Sequence, residues 1–134
     1  MHMRKLEFGL WDSFGVHEMS RSRIRIGTMI YQLPLHNPMR LAEEAATLDH
    51  LARGRLEFGA GLGTYEHEFI RWNTSFAERQ AMSDEALEII LKAWTEESVT
   101  YEGKYWQFDE ALPVPKPYQK LHLNSLGEVI PALM

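Results

Sequence analysis

The stretch that decides the fold is residues 23–63, which read RIRIGTMIYQLPLHNPMRLAEEAATLDHLARGRLEFGAGLG. Arg23 to Tyr31 alternates apolar and other residues and then becomes continuously apolar, which is typical of a strand covered on both faces. Arg55 to Gly59 predicts a second, shorter strand. A strand, a helix and a strand within ~35 residues form a βαβ unit, so we expect parallel strands with a right-handed crossover.

The helix of this unit carries start and stop signals. Asn37 can cap it, Pro38 suits its first position, and Gly54 can end it, because glycine accepts left-handed backbone geometry at little cost. Apolar residues at helical spacing predict one buried face, formed by Leu41, Ala45, Leu48 and Ala52.

The flanking segments extend this pattern. Leu6 to Trp11 predicts an earlier strand, and a second long helix is predicted to begin near Ser75, whose hydroxyl can form a capping box with Glu78. Its predicted apolar face consists of Leu87, Ile90, Leu91 and Trp94.

A hairpin is predicted after the second helix. Val99–Tyr101 and Tyr105–Phe108 are its strands, and the residues between them form the turn. Prolines at 113, 115 and 117 then indicate an extended loop.

Composition limits the classes of function. The 134 residues suit one domain, and a net charge of -5 argues against nucleic acid or an anionic membrane as the main partner. The chain has no cysteine, which excludes disulfides, thiolate metal sites and a cysteine nucleophile. It has no apolar run near the ~18 residues of a membrane span, and acidic residues interrupt any signal peptide. We therefore expect a cytoplasmic protein.

The glycine-rich run at 59–63 can be interpreted in two ways. A glycine turn after a parallel strand lets backbone amides approach a phosphate or a flat ring. However, Thr64 stands where the dinucleotide fingerprint requires its third glycine. A small nucleotide-binding domain and a purely structural strand-to-helix turn both fit these residues.

Other chemical groups give weaker signals. His67 lies between two glutamates, but no second histidine follows at helical spacing, so we expect no bound metal. Thr28 is a candidate hydroxyl donor, although core packing explains it as well. Hairpin aromatics such as Trp106 could stack on a base, but cross-strand packing is the simpler interpretation. The residues alone indicate a parallel α/β domain.

The order and spacing of several segments carry a resemblance. They are residues 25–38, 41–51, 54–63, 66–69, 84–94, 101–108 and 115–120. Together they resemble the bacterial luciferase-like family of flavin-dependent monooxygenases, from Arg23 to Lys120.

The resemblance implies a fold and a chemistry. The fold is an α/β structure, a partial TIM-type (β/α) barrel with parallel strands, whose ligands bind at the carboxyl ends of the strands. The implied cofactor is reduced FMN or the deazaflavin F420, without a metal. The implied activity is that of an oxidoreductase acting on paired donors, in which molecular oxygen is incorporated into a small organic substrate.

The same resemblance implies site residues. Met29 and Ile30 match a strand-end pair that supports the flavin ring, joined in some members by a cis peptide, and we expect them at the same end of the sheet as Gly61. Gly61 and Leu62 match a loop near the ring and phosphate. Many members have an arginine at the position of Leu62, so we expect weak or absent flavin binding. No catalytic residue can be assigned.

Departures from the family pattern imply an incomplete domain over residues 1–134. Its parts are a first strand at 6–11, a family-matching core at 23–120 and a divergent tail at 121–134. Several dozen family residues have no counterpart before Arg23, and roughly half of the barrel is expected to be missing. An open barrel exposes strand edges, so we expect self-association or pairing with another barrel half. A non-catalytic half-barrel remnant or assembly module is therefore an alternative to a monooxygenase.

Overall fold

The strands of the 23–63 region are parallel, as the βαβ pattern predicts. The computed structural model describes residues 8–9, 23 and 25–120. Its strands are β1 (Phe8–Gly9), β2 (Ile26–Gly27), β3 (Tyr31–Gln32), β4 (Leu56–Glu57), β5 (Ala60–Gly61), β6 (Val99–Glu102) and β7 (Gln107–Ala111). Its helices are α1 (Pro38–Leu51), α2 (Glu66–Arg71) and α3 (Arg79–Thr95), and a 3-10 turn spans Leu33–Leu35.

The parallel strands form two separate ladders. The second ladder is formed by residues that follow β2 and β4 along the chain. In the first, β2 lies between β1 and β4, with Ile26 opposite Phe8 and Leu56. In the second, β3 pairs with β5, with Tyr31 opposite Ala60. The predicted first strand is described only at β1, and its other residues, like the tail at 121–134, lie outside the described residues.

The predicted strand Arg23–Tyr31 is interrupted and the predicted strand Arg55–Gly59 ends early at Glu57, which corrects the sequence prediction. The Thr28 hydroxyl donates to the Gly59 carbonyl and accepts from the Gly59 amide, both at 2.9 Å. This side chain replaces ladder bonds between the backbones, so the ladder stops and resumes at β3 and β5. The first part of the predicted glycine loop is therefore strand β5.

Helix α1 begins and ends as its sequence predicts. The Asn37 side chain accepts from the Arg40 amide at 3.1 Å, and Pro38 is the first helical residue. Gly54 follows the helix with φ +74°. Three of the four predicted core positions are buried, while Leu48 is half-buried.

The capping box predicted for α3 is wrong. The helix begins at Arg79, and no side chain caps its first turn. Phe76 packs edge-on against Phe69 at 5.1 Å, and the Arg79 guanidinium lies 3.9 Å from the centre of the Phe76 ring. The Glu78 carboxylate binds Lys104 and the Tyr105 hydroxyl instead of a backbone amide of its own helix.

Helices α1 and α3 pack against each other and cover one face of the parallel strands. Small side chains of α1 allow close approach, and the Trp94 indole donates to the Ala42 carbonyl at 2.9 Å. Leu56 and Ala60 are the buried strand residues beneath the helices. The buried helix residues include Leu41, Ala42, Ala45, Ala46, Ala86, Ile89, Ile90 and Ala93.

The predicted hairpin is confirmed and is fastened to α3 by a carboxylate. Strands β6 and β7 are antiparallel, with Tyr101 opposite Phe108. The Glu85 carboxylate accepts backbone amides of Lys104 at 3.0 Å and of Trp106 at 2.7 Å. Hairpin aromatics pack against the core rather than outward, as the packing interpretation predicts.

The proline-rich segment after the hairpin contains no helix or strand from Leu112 to Lys120, and it joins both helices to β4. Lys116 donates to the Ala93 carbonyl at 2.8 Å, near the carboxyl end of α3. The Gln119 side-chain amide donates to buried Asp49 and to the Leu56 carbonyl, both at 2.8 Å.

Candidate functional site

The two faces of the parallel strands differ in what they carry. Side chains alternate along a strand, so Ala60, buried under the helices, places Gly59 and Gly61 on the opposite face. Exposed Glu57 lies on that face too, with Gly27 opposite it in register. We call Gly27, Gly59 and Gly61 the glycine shelf. Glycine at these positions lets other parts of the chain approach the strands closely.

Close contacts restrict two positions of the shelf, strictly at Gly59, where the neighbour is backbone, and less strictly at Gly61, where it is the end of a flexible side chain. A Cβ atom at Gly59 would lie 2.0 Å from the Thr28 carbonyl oxygen. At Gly61 it would lie 2.2 Å from the end of the Ile30 side chain. The Gly59 carbonyl also accepts from the Tyr31 amide at 2.9 Å, so the shelf is held mainly by backbone bonds.

The structure brings Ile30 and Gly61 together, since the Ile30 side chain lies over the glycine. Met29 and Ile30 are joined by a cis peptide. They do not end a strand as expected, because β3 resumes at the next residue. Met29 is 75% exposed, and Leu62 is half-buried directly after β5.

Thr28 has a structural role in the described structure. Its hydroxyl both donates to and accepts from the backbone of Gly59, so it joins the two segments where the ladders break. This explains the residue more specifically than core packing does.

Sequence reasoning missed a polar pair at the carboxyl ends of β3 and β5. The Gln32 side-chain amide donates to the Glu68 carboxylate at 2.8 Å, and both residues are half-buried. Gly63, with φ +83°, turns the chain beside them. The two partners are 36 residues apart, and neither forms a local motif, so no sequence signal links them.

The region after β5 does not match a dinucleotide site. The dinucleotide fingerprint places a phosphate at the start of a long helix directly after the glycine turn. Here α2 begins only at Glu66, and its first turn holds two acidic residues, Glu66 and Glu68. His67 is exposed beside the Tyr65 ring, and the described part of the chain contains no group of three potential metal ligands.

A cavity of about 350 Å³ lies at the start of α1. Partial burial lowers the pKa of His36, with Glu44 opposing this effect, so the imidazole favours its neutral form. Arg40 in the same cavity is paired with Glu44 at 2.8 Å. The cavity walls therefore offer little net positive charge to a phosphate.

Comparison with known proteins decides the family. The family model described as luciferase-like monooxygenase matches residues 20–133. This chain belongs to the luciferase-like monooxygenase family. Over 118 residues it is 36% identical to an uncharacterized protein of Mycobacterium tuberculosis, which covers 88% of the chain and 41% of that relative. It is 35% identical over 116 residues to an F420-dependent glucose-6-phosphate dehydrogenase of Segniliparus rotundus, covering 81% of the chain and 34% of the relative.

Solved structures agree with this assignment. A monooxygenase from Streptomyces bottropensis matches with a TM-score of 0.74 and 30% identity, over 78% of this chain and 32% of that one. The oxygenating part of a Pseudomonas putida 3,6-diketocamphane monooxygenase, in complex with FMN, matches with a TM-score of 0.66 and 26% identity, over 77% and 32%.

The luciferase-like chain spans between about a third and two fifths of the length of these proteins. Its parallel strands and covering helices correspond to part of the fold of luciferase-like barrel enzymes. Within the described ranges, no helix is both long and apolar enough to cross a bilayer.

Proposed function

We propose that this chain is the cofactor-facing part of a luciferase-like oxidoreductase. The glycine shelf, with Met29, Ile30, Gly61 and Leu62, would lie against the ring of reduced FMN or F420. The contact of Ile30 with Gly61, on the strand face without helices, carries this proposal. When bound, such a cofactor supplies the redox chemistry with which a small organic substrate is oxidised.

The residues present fit a flat ring. The space above Gly61 is filled by the Ile30 side chain and that above Gly59 by the Thr28 backbone, so the ring would rest on the apolar Ile30 side chain that covers the glycines. The cofactor class follows from relatives, one of which is named as F420-dependent and another solved with FMN. Neither feature distinguishes FMN from F420.

The chain's own residues would position the ring and one polar group of the substrate. The Thr28 hydroxyl binds the Gly59 backbone where the ladders break, so it keeps the two strand segments in register. Glu68 is oriented by Gln32 at the carboxyl ends of the strands and could accept a hydrogen bond there. Half-burial of this carboxylate strengthens such a bond relative to water.

The cofactor phosphate gives the test. Leu62 offers no charge, and a charge-assisted contact is worth ~1.5–3 kcal/mol, or roughly tenfold to a hundredfold in affinity. We expect Leu62→Arg to tighten FMN binding by that factor in a fluorescence titration. Leu112→Arg is the matched control, because it adds the same charge at a side chain that is 67% exposed and distant in sequence. If the two variants changed FMN affinity equally, Leu62 would not lie near the cofactor phosphate.

Assembly through a strand edge is a second candidate role. The Arg55 carbonyl accepts from the Ile26 amide at 2.9 Å, and the Glu57 carbonyl accepts from the Thr28 amide at 3.2 Å. In a parallel ladder, the backbone groups of the residue between them, Leu56, therefore point away from β2. Gln119 binds the Leu56 carbonyl there, and no described strand lies beyond β4. A strand added along β4 would take the place of Gln119 at the Leu56 carbonyl.

Light scattering over a range of concentrations tests this second role. Pairing of two copies along β4 and β5 predicts a mass that rises towards twice the 15.6 kDa of one chain. A constant monomer mass with a concentration-independent thermal transition would exclude it.

A further inference from the structure

A small cavity lies behind the glycine shelf, on the side covered by α3. Its volume is about 30 Å³. Ala60, Gly61 and Leu62 form the wall that belongs to the end of β5. Gln80, Ser83, Asp84 and Leu87 form the wall that belongs to α3, and Leu33 completes the lining. The cavity therefore separates the helix from the same segment that is proposed to contact the cofactor.

Ser83 brings a hydroxyl to this cavity that the described residues leave without a hydrogen-bond partner. The residue is 6% exposed, and its Oγ atom is fully buried. A buried serine in a helix commonly donates to the carbonyl four residues earlier. Ser83 does not do so, and a buried hydroxyl without a partner is costly, so its position calls for a ligand in the cavity.

The volume of the cavity and the polar groups that line it indicate which ligand it can hold. A single water needs ~10–15 Å³ of such volume and two to four polar partners. The cavity has room for one water and is far too small for a flavin or an organic substrate. Polar side chains on its walls come from Ser83 and from the Gln80–Asp84 pair at 2.9 Å, and the other lining residues are apolar or glycine.

We propose that Ser83 is a positioning residue that binds one buried water and, through it, the backbone of Gly61 and Leu62. A bridging water is nearly as favourable as a direct hydrogen bond. It would fix the end of β5 from behind, on the face opposite the shelf. The importance of this bridge for the cofactor rests on the proposed function, whereas the bridge itself does not.

A high-resolution crystal structure of the chain tests the water directly. We expect density for one water within hydrogen-bond distance of Ser83 Oγ and of a main-chain atom of Gly61 or Leu62. The Ser83→Ala variant should lose that density. A dry cavity, or a water that contacts only α3, would overturn the proposal.

Amide hydrogen exchange tests positioning without any cofactor. We expect Ser83→Ala to speed exchange at Gly61 and Leu62 by about tenfold, the loss expected for one hydrogen bond. Ser83→Asn should restore the slow exchange, because its amide can reach the place of the water. Ser75→Ala is the control, since Ser75 is exposed. Unchanged exchange in Ser83→Ala would overturn the proposal, as would equal acceleration at all core amides of α1 and α3.

FMN titration then separates this inference from the proposed function. If the wild-type chain binds FMN, Ser83→Ala should weaken binding about fivefold, and Ser75→Ala should not. Equal affinities would contradict a positioning role. If the wild-type chain binds neither FMN nor F420, the proposed function fails, and the crystal and exchange results alone decide the role of Ser83.

Discussion

The two faces of the parallel strands are held by different interactions. On the helix-covered face, Ile89, Ile90 and Leu41 are almost completely buried, so apolar packing stabilises that side. On the glycine shelf, backbone bonds at Gly59 and the Thr28 hydroxyl hold the chain, and Met29 is largely exposed. The difference separates the two roles: one face supplies the core, while the other carries the proposed contact with the cofactor.

The largest expected effect is at Gly59. Its Cβ would lie 2.0 Å from a backbone oxygen, and only backbone movement can relieve that overlap. We expect Gly59→Ala to lower the free energy of unfolding by about 4 kcal/mol or more, or to abolish the cooperative transition in urea.

Gly27→Ala is the matched control on the same shelf. Its Cβ would meet the Glu57 Cβ at 3.6 Å, an ordinary contact, so a small change is expected. Similar urea midpoints for the two variants would show that the Thr28–Gly59 junction does not constrain the shelf.

Core packing gives the next effect. Ile89→Ala removes a side chain that is fully buried between the helices and should cost about 3 kcal/mol. Met29→Ala, at an exposed side chain between β2 and β3, should change the free energy of unfolding by less than about 0.5 kcal/mol. Thermal denaturation of both variants measures the contrast between the faces, and equal losses would contradict it.

Helix capping gives a smaller effect and tests a corrected prediction. Asn37→Ala removes the acceptor of the Arg40 amide at the start of α1 and should cost about 1 kcal/mol. Ser75→Ala should have almost no effect, because α3 begins at Arg79 without a side-chain cap. If Ser75→Ala lowered the free energy of unfolding as much as Asn37→Ala, the capping box at Ser75 would be supported after all.

The smallest effect concerns the hairpin at high pH. Burial, and then the hydrogen bond to Glu88, raises the pKa of Tyr101 to about 12. A raised pKa means that the folded chain favours the neutral phenol, so this stabilisation is complete below the unfolded pKa of about 10. It is lost as pH rises from about 10 to 12. The stability difference between wild type and Tyr101→Phe in urea should therefore shrink over that range, and a constant difference would argue against the shift.

The sequence predicts those parts of the fold that depend on local signals. Asn37, Pro38 and Gly54 define α1 because caps and stops act within one turn of a helix. Hairpin strands are predicted for the same reason. The start of α3 is not predicted correctly, because the Glu78 carboxylate, which was expected in a capping box, binds the hairpin more than twenty residues away.

The break between the ladders could not be predicted from periodicity. An apolar run shows that residues are covered, but not that the Thr28 hydroxyl bonds a glycine 31 residues away. The proposed site residues came from the family resemblance, whereas the Gln32–Glu68 pair became visible only once β3 and α2 were placed together. Long-range polar contacts are the part that one sequence does not reveal.

Chemical-shift mapping by NMR tests the central claim most directly. FMN is added to the isotope-labelled chain up to millimolar concentration, since weak binding is expected from the uncharged Leu62. We predict saturable shifts of the amides of Met29, Ile30, Gly61 and Leu62, with little change on the helices α1 and α3. Shifts confined to the cavity around His36 and Arg40, or no saturable shifts at any concentration, would contradict a flavin-facing glycine shelf.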